Sequence, residues 1–226
     1  MKLSKSQFEH ELSNPANRKF NLIIFGMSGS GKTHWSRLLS KRYGYPHVEF
    51  DELIGASAEL TDLIRGIPGK DAAEKMANHF GMPWSEGFQA KEGKYLIIEK
   101  KAMSRKLPRG SIFDLTGSCI YHPDEMEAIR ATGLMVYLET NPEKQKEMLE
   151  IFLAHPKPVC WKGVFERRDN ETNEQALSRC YPLLLAHRSK LYAQFADVAL
   201  PYPVHKNLKS ADDFAQEIKK QLPLHL

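Results

Sequence analysis

Residues 26–33 read Gly26-Met27-Ser28-Gly29-Ser30-Gly31-Lys32-Thr33, and this stretch decides the fold of the 226-residue chain. It fits the pattern G-x-x-x-x-G-K-[ST] and lies between an apolar run, 20–25, and a helix-like run, 32–43. Glycines let successive backbone N–H groups point at phosphate oxygens, and the helix start adds its positive dipole end. Lys32 is expected to reach the β- and γ-phosphates of a nucleotide, and the Thr33 hydroxyl to ligate Mg²⁺. The residues predicted to hold the nucleotide are Gly26, Ser28, Gly29, Ser30, Gly31, Lys32 and Thr33.

Short apolar runs alternate with helical patterns along the rest of the chain, which is typical of a parallel sheet. The strands are predicted at 20–25, 46–50, 111–115, 134–138 and 197–200. The fold class predicted is therefore α/β: a three-layer P-loop NTPase fold, with a five-stranded parallel sheet, helices on both faces and a lid loop.

The composition is typical of a globular protein, with 42% hydrophobic and 27% charged residues. Acidic and basic residues are interleaved and the net charge is only +4, so we expect small phosphorylated ligands rather than nucleic acid as partners. Three scattered cysteines without metal-ligand spacing indicate reduced thiols. The first residues form no apolar leader, and no apolar run is long enough to cross a membrane, so we predict a cytoplasmic protein without membrane partners.

Polar side chains follow three predicted strands, at the edge where open parallel sheets bind ligands. Asp51 is the candidate base for the acceptor hydroxyl in a phosphoryl transfer, and its alternative role is to cap a helix beginning at Glu52. Glu49 is predicted to hold Mg²⁺ through water, or else to be an exposed strand residue. Asp114 stands where a further acidic partner of Mg²⁺ would lie, if its side chain points toward the loop. The third stretch is Thr116-Gly117-Ser118.

A basic, proline-containing segment at 155–173 separates two predicted helices. Its arginines are expected to close over the phosphates during transfer, and Arg167 is the candidate for this role; the alternative is a solvated basic loop. Trp161 is predicted to pack under the closed segment or against the body of the protein. Three histidines have no possible catalytic partner at a useful spacing and are expected in core or surface positions: His34, His122 and His187.

Beyond the phosphate loop, further motifs resemble those of shikimate kinases over roughly residues 20–222. The stretches are Glu49 to Ile54 for D-x-D-x-x-I, Gly87 to Glu92 for G-F-R-x-x-E, Thr116 to Ser118 for T-G-G-G, and Arg188 to Asp197 for R-x-P-L-Y-x-x-x-A-D. The resemblance implies an enzyme that uses Mg²⁺ and ATP to phosphorylate a hydroxyl group. It implies that Asp51 is the catalytic aspartate, Glu49 the acid associated with Mg²⁺, and Arg188 the arginine that binds a substrate carboxylate.

Two departures from the family pattern concern the acceptor. Gln89 stands where the family has a second carboxylate-binding arginine, and a neutral amide cannot replace a bidentate guanidinium–carboxylate contact. Ser118 stands where the family has a glycine. We therefore expect a small polar metabolite other than shikimate as the acceptor. The substrate residues predicted are Asp51, Gln89, Gly117, Ser118 and Arg188; the catalytic residues are Asp51, Lys32 and Arg167; the Mg²⁺ ligands are Thr33 and Glu49.

The domain division predicted is an N-terminal extension, 1–19, and a kinase domain, 20–226, which contains an acceptor-binding insert, 55–107, and a lid, 155–173. A monomer or weak homodimer is expected. Two other functions remain open on the sequence. One is a nucleoside or nucleotide kinase, and the other is a nucleotide-binding regulatory protein with little transfer activity. A nucleoside or nucleotide kinase would hold the phosphate of its acceptor with Arg65, Lys70, Lys75 and Arg188.

Overall fold

Parallel strands form a single sheet at the centre of the structure, which is a computed structural model describing residues 3–14, 18–155 and 157–224. The strand order is β2-β3-β1-β4-β5, so the strand that leads into the phosphate loop is central. All the pairings are parallel, as predicted. The strands are β1 (Asn21–Gly26), β2 (His47–Glu49), β3 (Ile112–Asp114), β4 (Gly133–Leu138) and β5 (Val198–Leu200).

Helices cover both faces of this sheet. The first five along the chain are α1 (Lys5–Ser13), α2 (Lys32–Tyr43), α3 (Phe50–Gly55), α4 (Ala58–Leu63) and α5 (Ala72–Phe80). The remaining helices are α6 (Phe88–Met103), α7 (Pro123–Arg130), α8 (Pro142–Ala154), α9 (Asn173–Phe195), α10 (Tyr202–His205) and α11 (Ala211–Gln221). The predicted three-layer arrangement is therefore confirmed.

Alternate residues of β1 belong to two separate hydrophobic cores, because successive strand side chains point to opposite faces. Leu22 and Ile24 pack with the buried residues of α1, α2 and α11 on one face. Ile23 and Phe25 pack with α6, α7 and α9 on the other face. Both sides of β1 are buried, which explains its unbroken apolar sequence.

The segment predicted to bind the acceptor, 55–107, contains the helices α4, α5 and α6. Asp71 accepts a hydrogen bond from the backbone of Glu74 and so caps α5. Gly81, in the left-handed region at φ 68°, ends α5, whereas Gly93 lies inside α6 without interrupting it.

Residues 201–208 contain the short helix α10, because Pro203 lies in its first turn, where a fixed φ suits a helix. Residues 46–50 hold a shorter strand than predicted, because Phe50 already begins α3. In the part of the chain that the structure describes, no helix is long and apolar enough to span a bilayer.

Candidate active site

The phosphate loop joins β1 directly to α2, and its glycines adopt conformations that other residues avoid. Gly26 has a φ of 143°, and a Cβ there would lie 2.7 Å from the carbonyl oxygen of Leu138 on β4. Gly31 is the N-cap of α2 at φ 97°. These two positions turn the chain sharply, so the N–H groups at the start of α2 face the loop edge of the sheet.

Lys32 is the buried cation of this loop. Its side chain is 7% exposed, and its ammonium donates one hydrogen bond, 3.1 Å long, to the carbonyl oxygen of Met27. An ammonium group has further donors that this bond leaves free. The hydroxyl of Ser30 is also buried, and among the described residues it has no hydrogen-bond partner. Both groups suit the oxygens of a nucleotide phosphate.

Thr33, at the start of α2, donates a hydrogen bond of 2.5 Å to the carboxylate of Asp114 at the end of β3. The side chain of Asp114 thus points toward the loop. Burial raises the pKa of Asp114, and Lys32 and the Thr33 hydroxyl oppose this rise. Glu49 pairs with Asp114 in the sheet register and bonds to Arg37 at 2.9 Å. A hydroxyl beside two carboxylates is the set of oxygen donors that Mg²⁺ prefers, so these residues fit that ion.

Asp51 lies in the first turn of α3, with its side chain open to a pocket beside Lys32. The alternative that Asp51 caps the helix is wrong, because α3 begins at Phe50, two residues earlier than expected, and its N-cap position is Glu49. The surrounding protein raises the pKa of Asp51 by desolvation, the Lys32 ammonium lowers it, and the carboxylate of Asp114 adds to the rise. This carboxylate is therefore more basic than an ordinary aspartate.

The pocket has a volume of about 890 Å³ and extends from the phosphate loop to α5 and the segment after α8. Six of the residues predicted to function line it: Ser28, Lys32, Asp51, Gly117, Ser118 and Arg188. Gly29 of the phosphate loop, Gln89 and Arg167 are exposed and lie outside the lining. Gln89 follows Phe88, whose ring is buried, so its side chain leaves α6 in another direction. Arg167 lies on the surface of the predicted lid.

Arg188, on α9, is 6% exposed, and the hydrogen-bond partners found for it among the described residues are neutral. Its guanidinium donates to the hydroxyl of Tyr121 at 3.1 Å, to the carbonyl of Gly117 at 3.3 Å and to the carbonyl of Cys160 at 2.6 Å. A guanidinium has more N–H donors than these three bonds use. Among the described residues no carboxylate forms an ion pair with Arg188, and a buried unpaired cation favours an anionic ligand.

Behind the pocket, Glu99 of α6 holds the turn at 116–118. This carboxylate has no exposed surface; it accepts a hydrogen bond from Thr116 at 2.6 Å and another from Ser118. Its second oxygen lies 2.8 Å from Nε2 of His122. His122 is in the core, as expected, but its partner was missed because the two residues are far apart in sequence. The Ser118 hydroxyl is bonded to Glu99 rather than pointing freely into the pocket.

The predicted lid is anchored at its beginning. Glu92, a buried residue of α6, accepts hydrogen bonds from the backbone N–H groups of Trp161 and Lys162. The ring of Trp161 is 2% exposed and contacts Phe152 and Tyr181. Trp161 therefore packs against the body of the protein, and the part of the segment beyond it carries the exposed arginines.

Three features together are typical of a P-loop kinase: a phosphate loop, a hydroxyl–carboxylate pair that suits Mg²⁺, and a basic aspartate that lines a pocket with Lys32. The family model described as shikimate kinase matches residues 65–223. The chain therefore belongs to the shikimate kinase family and is an ATP-dependent phosphotransferase with a hydroxyl group as acceptor.

Relatives named shikimate kinase match nearly the whole chain. One from Stenotrophomonas maltophilia is 30% identical over 88% of this chain and 91% of its own length. One from Symbiobacterium thermophilum is 26% identical over 89% of this chain and 95% of its own. The crystal structure of shikimate kinase from Bacteroides thetaiotaomicron aligns with a TM-score of 0.54 at 12% identity, covering 89% of this chain and 97% of that one. At that identity, the structural likeness supports the fold alone.

Proposed function

We propose that the protein transfers the γ-phosphate of ATP to a hydroxyl of a small anionic metabolite other than shikimate. The observation that carries this proposal is that Lys32, Asp51 and Arg188 line one pocket. They supply a cation for the transferred phosphate, a base for the acceptor hydroxyl and a cation for the acceptor's charge. Phosphoryl transfer needs mainly such positioning and charge neutralisation.

On the donor side, the loop from Gly26 to Thr33 binds the phosphates of ATP, with Lys32 at the β- and γ-positions. Thr33, Asp114 and Glu49 hold Mg²⁺, which neutralises charge on the phosphate oxygens when bound. Arg167 covers the transferred group when the lid closes, and its exposed position requires the segment beyond Trp161 to move inward.

On the acceptor side, Asp51 accepts the proton of the attacking hydroxyl, and its raised pKa suits a general base. Arg188 binds a carboxylate or phosphate of the acceptor through its remaining donors, while Gly117 forms the wall beside it.

The proposed exclusion of shikimate is supported by the lack of a second arginine beside Arg188 in the described pocket lining. In the described part of the chain Arg188 is the only arginine that lines the pocket, and Gln89 faces away from it. One charged hydrogen bond contributes about 1.5–3 kcal/mol, so a carboxylate that needs two arginines should bind roughly 10- to 100-fold more weakly here.

A panel assay of ADP release tests the proposal. The wild-type protein is mixed with MgATP and, separately, with shikimate, other hydroxy acids, neutral polyols and nucleoside monophosphates. We expect turnover with a hydroxy acid other than shikimate, loss of that turnover in Asp51→Asn, and a raised KM for the acceptor in Arg188→Gln. Efficient phosphorylation of shikimate, or a preference for neutral polyols, would overturn the proposal.

One observation favours a phosphorylated acceptor as the second candidate. Lys70 and Lys157 line the same pocket as Arg188 and add positive charge at its far end. A nucleoside monophosphate would place its phosphate among these cations. In the panel, turnover with a nucleoside monophosphate that falls in Lys70→Gln would select this candidate. Binding of ATP without turnover on any compound would instead favour the regulatory alternative.

A further inference from the structure

His47 lies at the beginning of β2, two residues before Glu49, so the two side chains share one face of the sheet. Nε2 of His47 is buried, and within the described residues it has no hydrogen-bond partner. It lies 4.0 Å from the nearer carboxylate oxygen of Asp114, the acid that also accepts the Thr33 hydrogen bond. A buried ring nitrogen without a partner is costly, so it calls for a ligand.

One donor atom from each of His47, Glu49 and Asp114 falls in a group whose members are all within 4.8 Å of one another. Two donors bound to one ion at about 2.1 Å lie at most about 4.2 Å apart. The separation of 4.0 Å between His47 and Asp114 already fits this limit. The Glu49 donor lies within 4.8 Å of each of the other two, and its carboxylate is bonded to Arg37.

The donor set of this group differs from one made only for Mg²⁺. Mg²⁺ takes oxygen ligands and gives up its water reluctantly. Neutral imidazole binds first-row transition ions better, in the order Mn²⁺, Fe²⁺, Co²⁺ and Ni²⁺. We propose that His47 is a nitrogen ligand of the cation at this site, so the protein binds Mn²⁺ or a related transition ion more tightly than Mg²⁺.

This inference rests on the proposed cation site beside Thr33 but not on the identity of the acceptor. It can fail while the kinase proposal stands, because a kinase that binds only Mg²⁺ through Thr33 and Asp114 would still transfer phosphate. The competing explanation is that His47 simply pairs with Asp114 in the folded protein.

The decisive experiment is electron spin-echo spectroscopy of the full chain with Mn²⁺ and ADP. A directly bound imidazole nitrogen modulates the echo, and labelling the protein with ¹⁵N-histidine changes the modulation frequencies. We expect the histidine signal in the wild type and in His10→Gln, whose histidine is exposed on α1, and its loss in His47→Gln. Wild-type protein that shows no histidine signal, or binds no Mn²⁺, would overturn the inference.

Cation titrations give a second readout. In His47→Gln we expect the Kd for Mn²⁺ to rise about 10-fold or more and the Kd for Mg²⁺ to change less than about twofold. An equal loss of affinity for Mn²⁺ and Mg²⁺, or no loss for either ion, would contradict a nitrogen ligand at His47. If His47→Gln does not fold, the isotope comparison on wild-type protein still decides the question.

Discussion

Oε2 of Glu99 lies 2.8 Å from Nε2 of His122, so a carboxylate with no exposed surface pairs with a buried imidazole directly behind the pocket. The other oxygen of Glu99 holds the hydroxyls of Thr116 and Ser118. On its pocket side the same turn is held through the Gly117 carbonyl, by Arg188 and by the Tyr192 hydroxyl. The turn that forms the acceptor wall is therefore fixed from both sides.

Glu99→Ala is expected to lower the free energy of unfolding by about 3–5 kcal/mol, because it leaves His122 and two hydroxyls buried without their partner. Urea denaturation measures this loss. Glu86→Ala, at an exposed position before α6, is the matched control and should change the stability by less than about 0.5 kcal/mol. Equal urea midpoints for the two variants would show that the Glu99 network contributes little.

Thr33→Ala should remove both the hydrogen bond to Asp114 and a ligand of the divalent cation. We expect the Kd for MgADP to rise at least about tenfold, while binding of ADP in EDTA changes little. Thr33→Ser keeps the hydroxyl and should restore the metal-dependent part of the affinity. Calorimetry with and without Mg²⁺ checks this, and a loss that is the same in EDTA would place Thr33 outside the cation site.

Asp51→Asn should lower kcat by about 10²–10⁴-fold once an acceptor is known, because the amide cannot accept the hydroxyl proton. The affinity for ADP should stay close to that of the wild type. Glu52→Gln, at the exposed neighbouring position, controls for the loss of one negative charge. Steady-state kinetics decide the matter, and a kcat that falls equally in the two variants would rule out a base at Asp51.

The raised pKa of Asp51 also predicts a change in stability. The folded protein binds the proton of the Asp51 carboxyl group more tightly than the unfolded chain does. Protonation of Asp51 therefore stabilises the fold at low pH. This stabilisation is lost as the pH rises from the ordinary value of 3.8 through the folded pKa. Asp51→Asn should therefore unfold at a higher urea concentration than the wild type at pH 7, with the difference vanishing in acid. A lower midpoint at pH 7 would mean that the attraction to Lys32 outweighs burial.

Gly26→Ala and Gly29→Ala test the packing of the phosphate loop. Both positions have positive φ values, 143° and 80°, but only a Cβ at Gly26 would meet the Leu138 carbonyl. Gly29→Ala should lower the free energy of unfolding by about 1 kcal/mol, because of its backbone conformation alone. Gly26→Ala should cost more by about 1–3 kcal/mol, because β1 and β4 must separate. Equal unfolding energies in urea would show that the loop relaxes freely.

Local patterns predicted the parts of the fold that depend on neighbours in sequence. The loop at 26–33 and helix α2, which ends at Gly44, follow from glycine and helix-capping rules within a few residues. The capping box of Thr172 and Gln175 at the start of α9 likewise depends only on residues three positions apart.

The parts that were missed depend on contacts between distant residues. Glu99 and His122 meet only because α6 packs behind the turn after β3, and neither lies in a motif. Whether Asp114 points to Thr33 depends on strand register, which the sequence of a three-residue strand does not specify. Gln89 was placed by family pattern, but its direction depends on which face of α6 buries Phe88.

Lys32, Asp51 and Arg188 line one pocket, and we propose that the protein uses it to phosphorylate an anionic alcohol other than shikimate. The most direct measurement follows the labelled γ-phosphate of ATP into products, using wild-type protein with shikimate alone and with a mixture of metabolic hydroxy acids. We predict a labelled phosphate ester from the mixture, absent with Asp51→Asn, and little or none from shikimate. Rapid formation of labelled shikimate phosphate by the wild type, lost in Asp51→Asn, would contradict the account.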